Sequence, residues 1–374
     1  MNILQVISPV VQAEDYGRVG ATRVASLLLT EAHSAGQPWA VLANDPNRLL
    51  ESFTLRDYHI SRSRTYGVDV YKRLVELAPY FDIVVTHLQY LGFVSYINKL
   101  AEQFPQVQFV QVHHTPPDTG TDITYRYKDD YGRHFDLPNV WTVCVSKSHR
   151  ERLCATMPPR WPTERISYIH NGVVWREIEE RERDFDVIVV ARLDSSKRVL
   201  DSIMFSLAAT DGPIMYVGSA EQTSSRGSKM WEEYLKTFNQ LKAVHSQRLM
   251  CMGAVNNIDV ITKLMPRAKV NVNLSPIETF GLTAVEAAMA GTPSIVENKG
   301  GLDEVVHQLV IGESLDFHRK RWGPRAELVK SAYDSLHEKS DFERYLLKSK
   351  VKDLFTSTRM YGRYLALFEQ IQGG

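Results

Sequence analysis

The stretch Ser275-Pro-Ile-Glu278-Thr-Phe280-Gly281-Leu282-Thr-Ala-Val-Glu286-Ala-Ala-Met-Ala-Gly291-Thr-Pro293 decides the architecture. The apolar run Val270–Leu274 ahead of it reads as a buried strand. The residues after Gly281 carry helical spacing, which predicts a helix beginning near Phe280 or Gly281. Strand, short turn and helix in that order form a βα unit of a parallel sheet. The start of such a helix presents backbone N–H groups that lack partners inside the helix, together with the positive end of its dipole. That is an anion site, and a diphosphate suits it. Glu278 lies just before the helix and Glu286 inside it. Carboxylates are poor phosphate ligands but good acceptors for sugar hydroxyls. An anion site flanked by two such groups describes a nucleotide-sugar pocket. Taken alone, two glutamates eight positions apart read more simply as acidic residues near a helix start.

Working outward, the same alternation of apolar runs and amphipathic segments recurs along the chain. In the first half, strands are predicted at Ile3–Ile7, Trp39–Ala43, Asp82–Thr86, Val107–Val112, Val140–Val145 and Ile166–Ile169. Helices are expected around Ala21–Ala35, Val70–Ala78, Phe93–Gln103 and Lys147–Thr156. The charged stretch from Trp175 to Asp184 has little to bury and reads as a connection, and Asp184-Phe-Asp186 is read as part of it. A second alternation follows, with strands at Val187–Val190, Ile214–Val217, Arg248–Met252, Val270–Leu274 and Ser294–Glu297. The expected fold is therefore α/β, with two Rossmann-like, doubly wound domains facing a central cleft. The expected boundaries are 1–174, 175–352 and a C-terminal helix, 353–374, returning to the first domain. The helical stripe Tyr361, Tyr364, Leu365 and Phe368 reads as core packing.

Composition narrows the class. The 374 residues are 44% apolar and 24% charged, which suits a globular chain long enough for two cores. Lys+Arg and Asp+Glu both total 44, so nothing global argues for a polyanion partner. Three scattered cysteines (Cys144, Cys154, Cys251) make neither a disulfide framework nor a metal knuckle, which fits a reducing, cytoplasmic setting. The N-terminal run lacks a cationic flank, and no stretch approaches the ~18 apolar residues that span a bilayer. Contact with a membrane surface stays open.

The wider context of Glu278 and Glu286 resembles the signature of the large retaining Glu-x7-Glu family of glycosyltransferases, typified by sucrose synthases and bacterial mannosyltransferases, whose fold is GT-B. The resemblance extends to Val189-Val190-Ala191-Arg192-Leu193-Asp-Ser-Ser-Lys197, whose Arg and Lys in such enzymes clamp the donor diphosphate. Met252-Gly253-Ala254-Val255 is similar to the loop that reads the base, and Gly300-Gly301-x-x-Glu304 to the family's next turn. In the first half, Gly20-Ala21-Thr22-Arg23 resembles the glycine turn that opens the first helix, with Val19 where a second Gly is usual. His113-His114-Thr115 is similar to the family's His-Thr, His114 being the better match. Val145-Ser146 and Ile169-His170-Asn171-Gly172-Val173 also fit, with His170 replacing a common proline.

The resemblance implies retaining, metal-independent transfer from a nucleotide sugar, UDP-linked by family frequency, with no other cofactor. Arg192 and Lys197 would hold the diphosphate, helped by N–H groups near Phe280, Gly281 and Leu282. Glu286 would bind the ribose, Glu278 the sugar hydroxyls, Gly20 would approach the phosphate, and His114 would lie against the sugar from the first domain. For the acceptor, the loop carrying Tyr125, Arg126, Tyr127, Lys128, Tyr131 and Arg133 interleaves aromatics with cations, as does His318–Arg325. Sugars stack on aromatics, and so do unstacked bases. The acceptor expectation is a glycan or glycolipid, with hydroxymethylated pyrimidines in DNA as the alternative. A catalytically silent nucleotide-sugar-binding protein is the third reading.

Overall fold

The computed structural model describes residues 1–7, 20–37, 39–43, 58–60, 66–87, 93–114, 136–156, 163–218, 229–276, 278–317 and 320–373. Two compact units emerge. One comprises Met1–Val174 together with Thr356–Gly374, the other Trp175–Phe355.

The first unit holds a seven-stranded parallel sheet in the order β3-β2-β1-β4-β5-β6-β7. Its strands are β1 (Ile3–Ile7), β2 (Ala40–Ala43), β3 (Tyr58–Ile60), β4 (Ile83–Thr86), β5 (Gln108–His113), β6 (Val140–Cys144) and β7 (Ile166–Tyr168). Helices α1 (Gly20–Ser34), α2 (Tyr66–Leu77), α3 (Phe93–Gln103) and α4 (Lys147–Thr156) are its crossovers among the described residues. β1 and β4 are buried throughout, because both faces of a parallel sheet are covered. Leu4, Val6, Val84, Phe109 and Val140 pack with Leu74 of α2 and Ile97 and Leu100 of α3.

The second unit carries a six-stranded parallel sheet, β10-β9-β8-β11-β12-β13. Its strands are β8 (Phe185–Val190), β9 (Ile214–Val217), β10 (Leu249–Cys251), β11 (Ala268–Asn273), β12 (Ser294–Glu297) and β13 (Gly312–Leu315). The longer helices are α5 (Val199–Ala209), α6 (Lys229–Val244), α7 (Leu282–Met289), α8 (Gly300–Leu309), α9 (Trp322–Leu336) and α10 (Asp341–Leu354). The last helix, α11 (Ser357–Gly373), belongs to the first unit. Tyr361 and Phe368 of α11 set their rings 5.7 Å from Trp39, and Thr358 donates to Glu31 of α1 at 3.0 Å. Tyr361, Tyr364 and Phe368 are buried and Leu365 is half-buried, so that stripe is core packing.

Three sequence expectations change. Asp184-Phe-Asp186 is not all connection. β8 starts at Phe185, and Asp186 is buried in it, 2.8 Å from the Lys269 ammonium and bonded to Thr210. The charge at a strand start is satisfied by neighbours distant in sequence, which a local reading misses. Two strands, β3 and β13, were not expected. Both are edge strands, and Tyr58-His-Ile and Gly312-Glu-Ser-Leu lack the apolar run of a strand covered on both faces. Finally, α7 starts at Leu282, one residue past the expected start, with Gly281 as its N-cap.

Candidate functional site

In a doubly wound sheet, ligands bind beyond the carboxyl ends of the strands, where the strand order reverses. In the second unit that point lies between β8 and β11, which pair in parallel from Ala268↔Phe185 to Asn271↔Ile188. The loops leaving these two strands carry Arg192 and Lys197 on one side and Glu278 on the other. They converge: the Lys197 ammonium donates to Glu278 Oε1. Both side chains keep about a quarter of their surface exposed, so the pair faces solvent while held.

The β8 loop owes its shape to Asp194. Its carboxylate accepts from the Ser196 N–H at 2.9 Å and caps a single helical turn, Ser195–Lys197. Arg192 reaches back to the same carboxylate at 4.0 Å. Tyr234 of α6 closes the loop from below, accepting from Leu200 N–H at 3.2 Å and donating to the Asp194 carbonyl at 3.3 Å. Burial pushes its phenol up to about 12, so it keeps the proton it donates. Between that turn and α5 stands Arg198, with φ 46° and ψ 42°. A side chain in this left-handed region costs about 1–2 kcal/mol.

The β11 loop is shaped by glycine. Gly281, at φ 99°, is the left-handed N-cap of α7, and a Cβ there would meet Leu302 at 2.5 Å. Gly301, in the first turn of α8, donates its N–H to the Glu278 carbonyl at 2.8 Å. It lies so close that an added Cβ would fall 2.2 Å from the Thr279 carbonyl oxygen. Thus α8 is seated directly on the turn that presents Glu278. Phe280 is buried against Phe355, centroids 5.7 Å apart. Internal hydrogen bonding of α7 starts with Ala284 donating to the Gly281 carbonyl, so the N–H groups ahead of it point out of the helix end. Glu286 is buried inside α7 and accepts from Asn257 Nδ2 at 3.3 Å.

In the first unit, α1 opens at Gly20, and His114 stands immediately after β5. His114 heads a buried chain. Gln5 of β1 donates from Nε2 to the Ala25 carbonyl at 3.2 Å, and the same nitrogen lies 2.9 Å from His87 Nε2. A carbonyl only accepts, so this Gln5 atom is the amide nitrogen and His87 Nε2 must accept from it. The His87 proton then resides on Nδ1, which donates to His114 Nε2 at 3.0 Å. His114 is left with its proton on Nδ1. Burial lowers His87 to about 3. His114 is held well below its ordinary value by burial, then by His87 and His149. Both rings are neutral at pH 7.

Of the expected site residues, Arg192, Lys197, Phe280, Gly281, Leu282, Glu278 and Glu286 gather at this switch point, and Gly20 and His114 lie in the first unit. Tyr125, Arg126, Tyr127, Lys128, Tyr131 and Arg133, like Val19 and Thr115, lie outside the described residues. In the second basic–aromatic cluster, Trp322 stacks on Phe205 at 4.2 Å, and Arg325 lies over Phe317 and donates to its carbonyl. Those two side chains pack the second unit. The sequence reading missed His87 and Glu297. The signal for each was a polar residue closing an apolar strand run: Ile83-Val-Val-Thr-His87 and Ser294-Ile-Val-Glu297.

Comparison with known proteins bears on this geometry. Solved structures align over nearly the whole chain. The Anabaena protein HepE, crystallised with UDP and with UDP-glucose, superposes with a TM-score of 0.75 over 99% of this chain and 100% of its own, at 14–15% identity. Sucrose-phosphate synthase from Thermosynechococcus elongatus superposes with a TM-score of 0.73, covering 100% of both chains at 16% identity. The fold is GT-B. Residues 173–322 match the family model described as Family 4 Glycosyltransferase in conflict systems. An uncharacterized glycosyltransferase of Methanocaldococcus jannaschii is 26% identical over 253 residues, 59% of this chain and 61% of that protein. The chain therefore spans under two thirds of that relative's length. The N-acetyl-alpha-D-glucosaminyl L-malate synthase of Bacillus anthracis is 22% identical over 293 residues, 73% of this chain and 72% of its own. The family model and both relatives are glycosyltransferases or synthases by name, and the model matches only the stretch from 173 to 322. No described helix of this GT-B chain is long and apolar enough to cross a membrane.

Proposed function

We propose that this GT-B protein is a retaining, metal-independent glycosyltransferase that moves a sugar from a nucleotide donor, UDP-linked, to a hydroxyl of a glycan or glycolipid. One observation carries the reading. At the switch point of the second sheet, a cation from the β8 loop meets a carboxylate from the β11 loop, ahead of the N-terminus of α7 and with Glu286 buried within that helix. The family match and the names of the relatives support the same chemistry.

Glycosyl transfer breaks the bond from the anomeric carbon to the diphosphate while positive charge grows on the ring. The largest gain comes from stabilising the leaving group and aligning the acceptor hydroxyl. In this reading Arg192, Lys197 and the first N–H groups of α7 take the diphosphate. When it arrives, Lys197 exchanges Glu278 for phosphate, which frees Glu278 for the sugar hydroxyls. Glu286, its position fixed by Asn257, takes the ribose. The leaving phosphate accepts the proton of the acceptor, which attacks from the same face, so no protein nucleophile is needed. In this reading neutral His114 serves the sugar.

The test is turnover of a panel of radiolabelled nucleotide sugars, with water, glycan primers, lipid extracts and hydroxymethylpyrimidine DNA as acceptors. Release of UDP with any acceptor supports the donor assignment. Label found only in the modified DNA would replace the glycan reading with the DNA one. Nucleotide-sugar binding without any turnover would leave a silent binding protein.

A further inference from the structure

Arg198 and Glu297 form a pair that the donor set does not use. Glu297 closes β12, and its side chain is almost completely buried, at 2% exposure. Arg198 Nη1 donates to it at 2.5 Å, and the Lys299 ammonium approaches its other oxygen at 2.9 Å. A carboxylate taken out of water needs such partners. What makes the pair unusual is the backbone of Arg198, one of two described non-glycine residues with positive φ.

That conformation has a location with consequences. Arg198 is the last residue of the turn capped by Asp194, its N–H donating to the Ser195 carbonyl at 3.1 Å. It is also the N-cap of α5, its carbonyl accepting from Ser202 N–H at 3.0 Å. The chain reverses hand at this one residue. Lys197 immediately precedes it, so the direction of Lys197 depends on Arg198 staying left-handed. Glycine would hold that conformation without help. An arginine holds it because its side chain is tied to a buried carboxylate on β12.

We propose that Arg198 and Glu297 are positioning residues: the ion pair to the buried Glu297 locks the left-handed backbone that aims Lys197 at the donor diphosphate. The proposal rests on the assignment of Lys197 to the donor. It implies that the guanidinium acts on the chain and not on the substrate.

Two substitutions at this half-buried position separate these roles. Arg198→Gly removes the side chain but keeps the left-handed conformation accessible; Arg198→Ala removes the side chain and leaves the strain uncompensated. Turnover of UDP-glucose, or of whichever donor the panel identifies, is measured for both, with Lys197→Ala alongside. The expected result is activity within about threefold of wild type for Arg198→Gly. For Arg198→Ala the expected loss in kcat is at least about tenfold, since a misplaced catalytic group costs up to about 10²-fold. Glu297→Gln should lose activity similarly, and adding Arg198→Gly should restore it. Equal retention by Gly and Ala overturns the proposal, and so does equal loss, which would put the guanidinium on the donor. Normal turnover by Lys197→Ala would sink the donor assignment instead. Should the wild-type protein turn over no donor, amide exchange across residues 194–202 decides. Faster exchange in Arg198→Ala than in Arg198→Gly sustains the lock, and identical exchange removes it.

Discussion

Gly301→Ala tests how Glu278, the carboxylate proposed for the sugar, is held. The added methyl carbon would lie 2.2 Å from the Thr279 carbonyl oxygen and 2.4 Å from both Cα and N of Phe280. Nonbonded atoms sit best at about 3.5 Å or more, so α8 and the Glu278 turn must separate by about 1 Å. All three obstacles are backbone, and no side-chain rotation relieves them. The 2.8 Å hydrogen bond from Gly301 N–H to the Glu278 carbonyl is lost in the same movement. Overpacking of this kind costs about 1–3 kcal/mol, with about 1 kcal/mol more for the hydrogen bond. The protein should stay folded with a lowered Tm. A displacement of about 1 Å at Glu278 should reduce kcat by about 10²-fold. Nucleotide affinity should fall less, because Arg192 and Lys197 stand on the β8 loop and not on the displaced turn. The assay is donor turnover with UDP titrated separately, and Gly323→Ala is the control, since a Cβ there meets nothing within 4 Å. Wild-type kcat in Gly301→Ala, at confirmed sequence, would refute the claim that the seating of α8 positions Glu278.

Other expectations follow from the same geometry. Lys197→Ala should abolish transfer and severely weaken nucleotide-sugar binding, while circular dichroism and Tm stay close to wild type for this partly exposed side chain. Glu278→Ala should lose more in rate than in UDP affinity, as isothermal titration beside steady-state kinetics would register; the reverse order moves Glu278 off the sugar. A cognate donor at 100 times its Kd should stabilise the protein by about 2.7 kcal/mol, visible as a thermal shift that free glucose does not produce. His87 and His114 are neutral when folded and titrate near 6.5 when unfolded, so stability is complete above pH 6.5. Below it, only the unfolded chain takes up these protons, and each ring should cost about 1.4 kcal/mol per pH unit. For His87 that continues down to about pH 3. Denaturant unfolding of His87→Gln across pH 4–7 should show a shallower slope by one proton; an unchanged slope would mean that His87 is not buried neutral.

The parallel sheets were legible because strands covered on both faces must be largely apolar, as Ile83–Thr86 and Ile214–Val217 are. The residues proposed for the donor stood out in the sequence because Arg192, Lys197 and Glu278 follow strand ends, and the structure brings Lys197 and Glu278 together. What stayed hidden depends on partners distant in sequence. Asp186 looked like linker because Lys269, 83 positions away, is what lets it enter a strand. Glu297 and Arg198 are separated by 99 positions, and a left-handed arginine leaves no mark in a residue pattern. His87 matters only through Gln5 and His114, which three different strands deliver to one place.

The chain passes from the first unit to the second after Val174 and returns before Thr356. These two crossings lie side by side, Val173 bridging Thr356 in parallel and Ser357 donating its N–H to the Val173 carbonyl at 2.8 Å. The second unit is thus an uninterrupted stretch whose ends meet, while the first unit is made of two pieces. On the ribosome this sets an order of assembly. Every residue of the second unit has been synthesised before Trp39 can receive Tyr361 and Phe368. Nascent chains fold domain by domain as they emerge. The second unit should therefore be finished first, and the first unit should complete its core only when the last helix arrives.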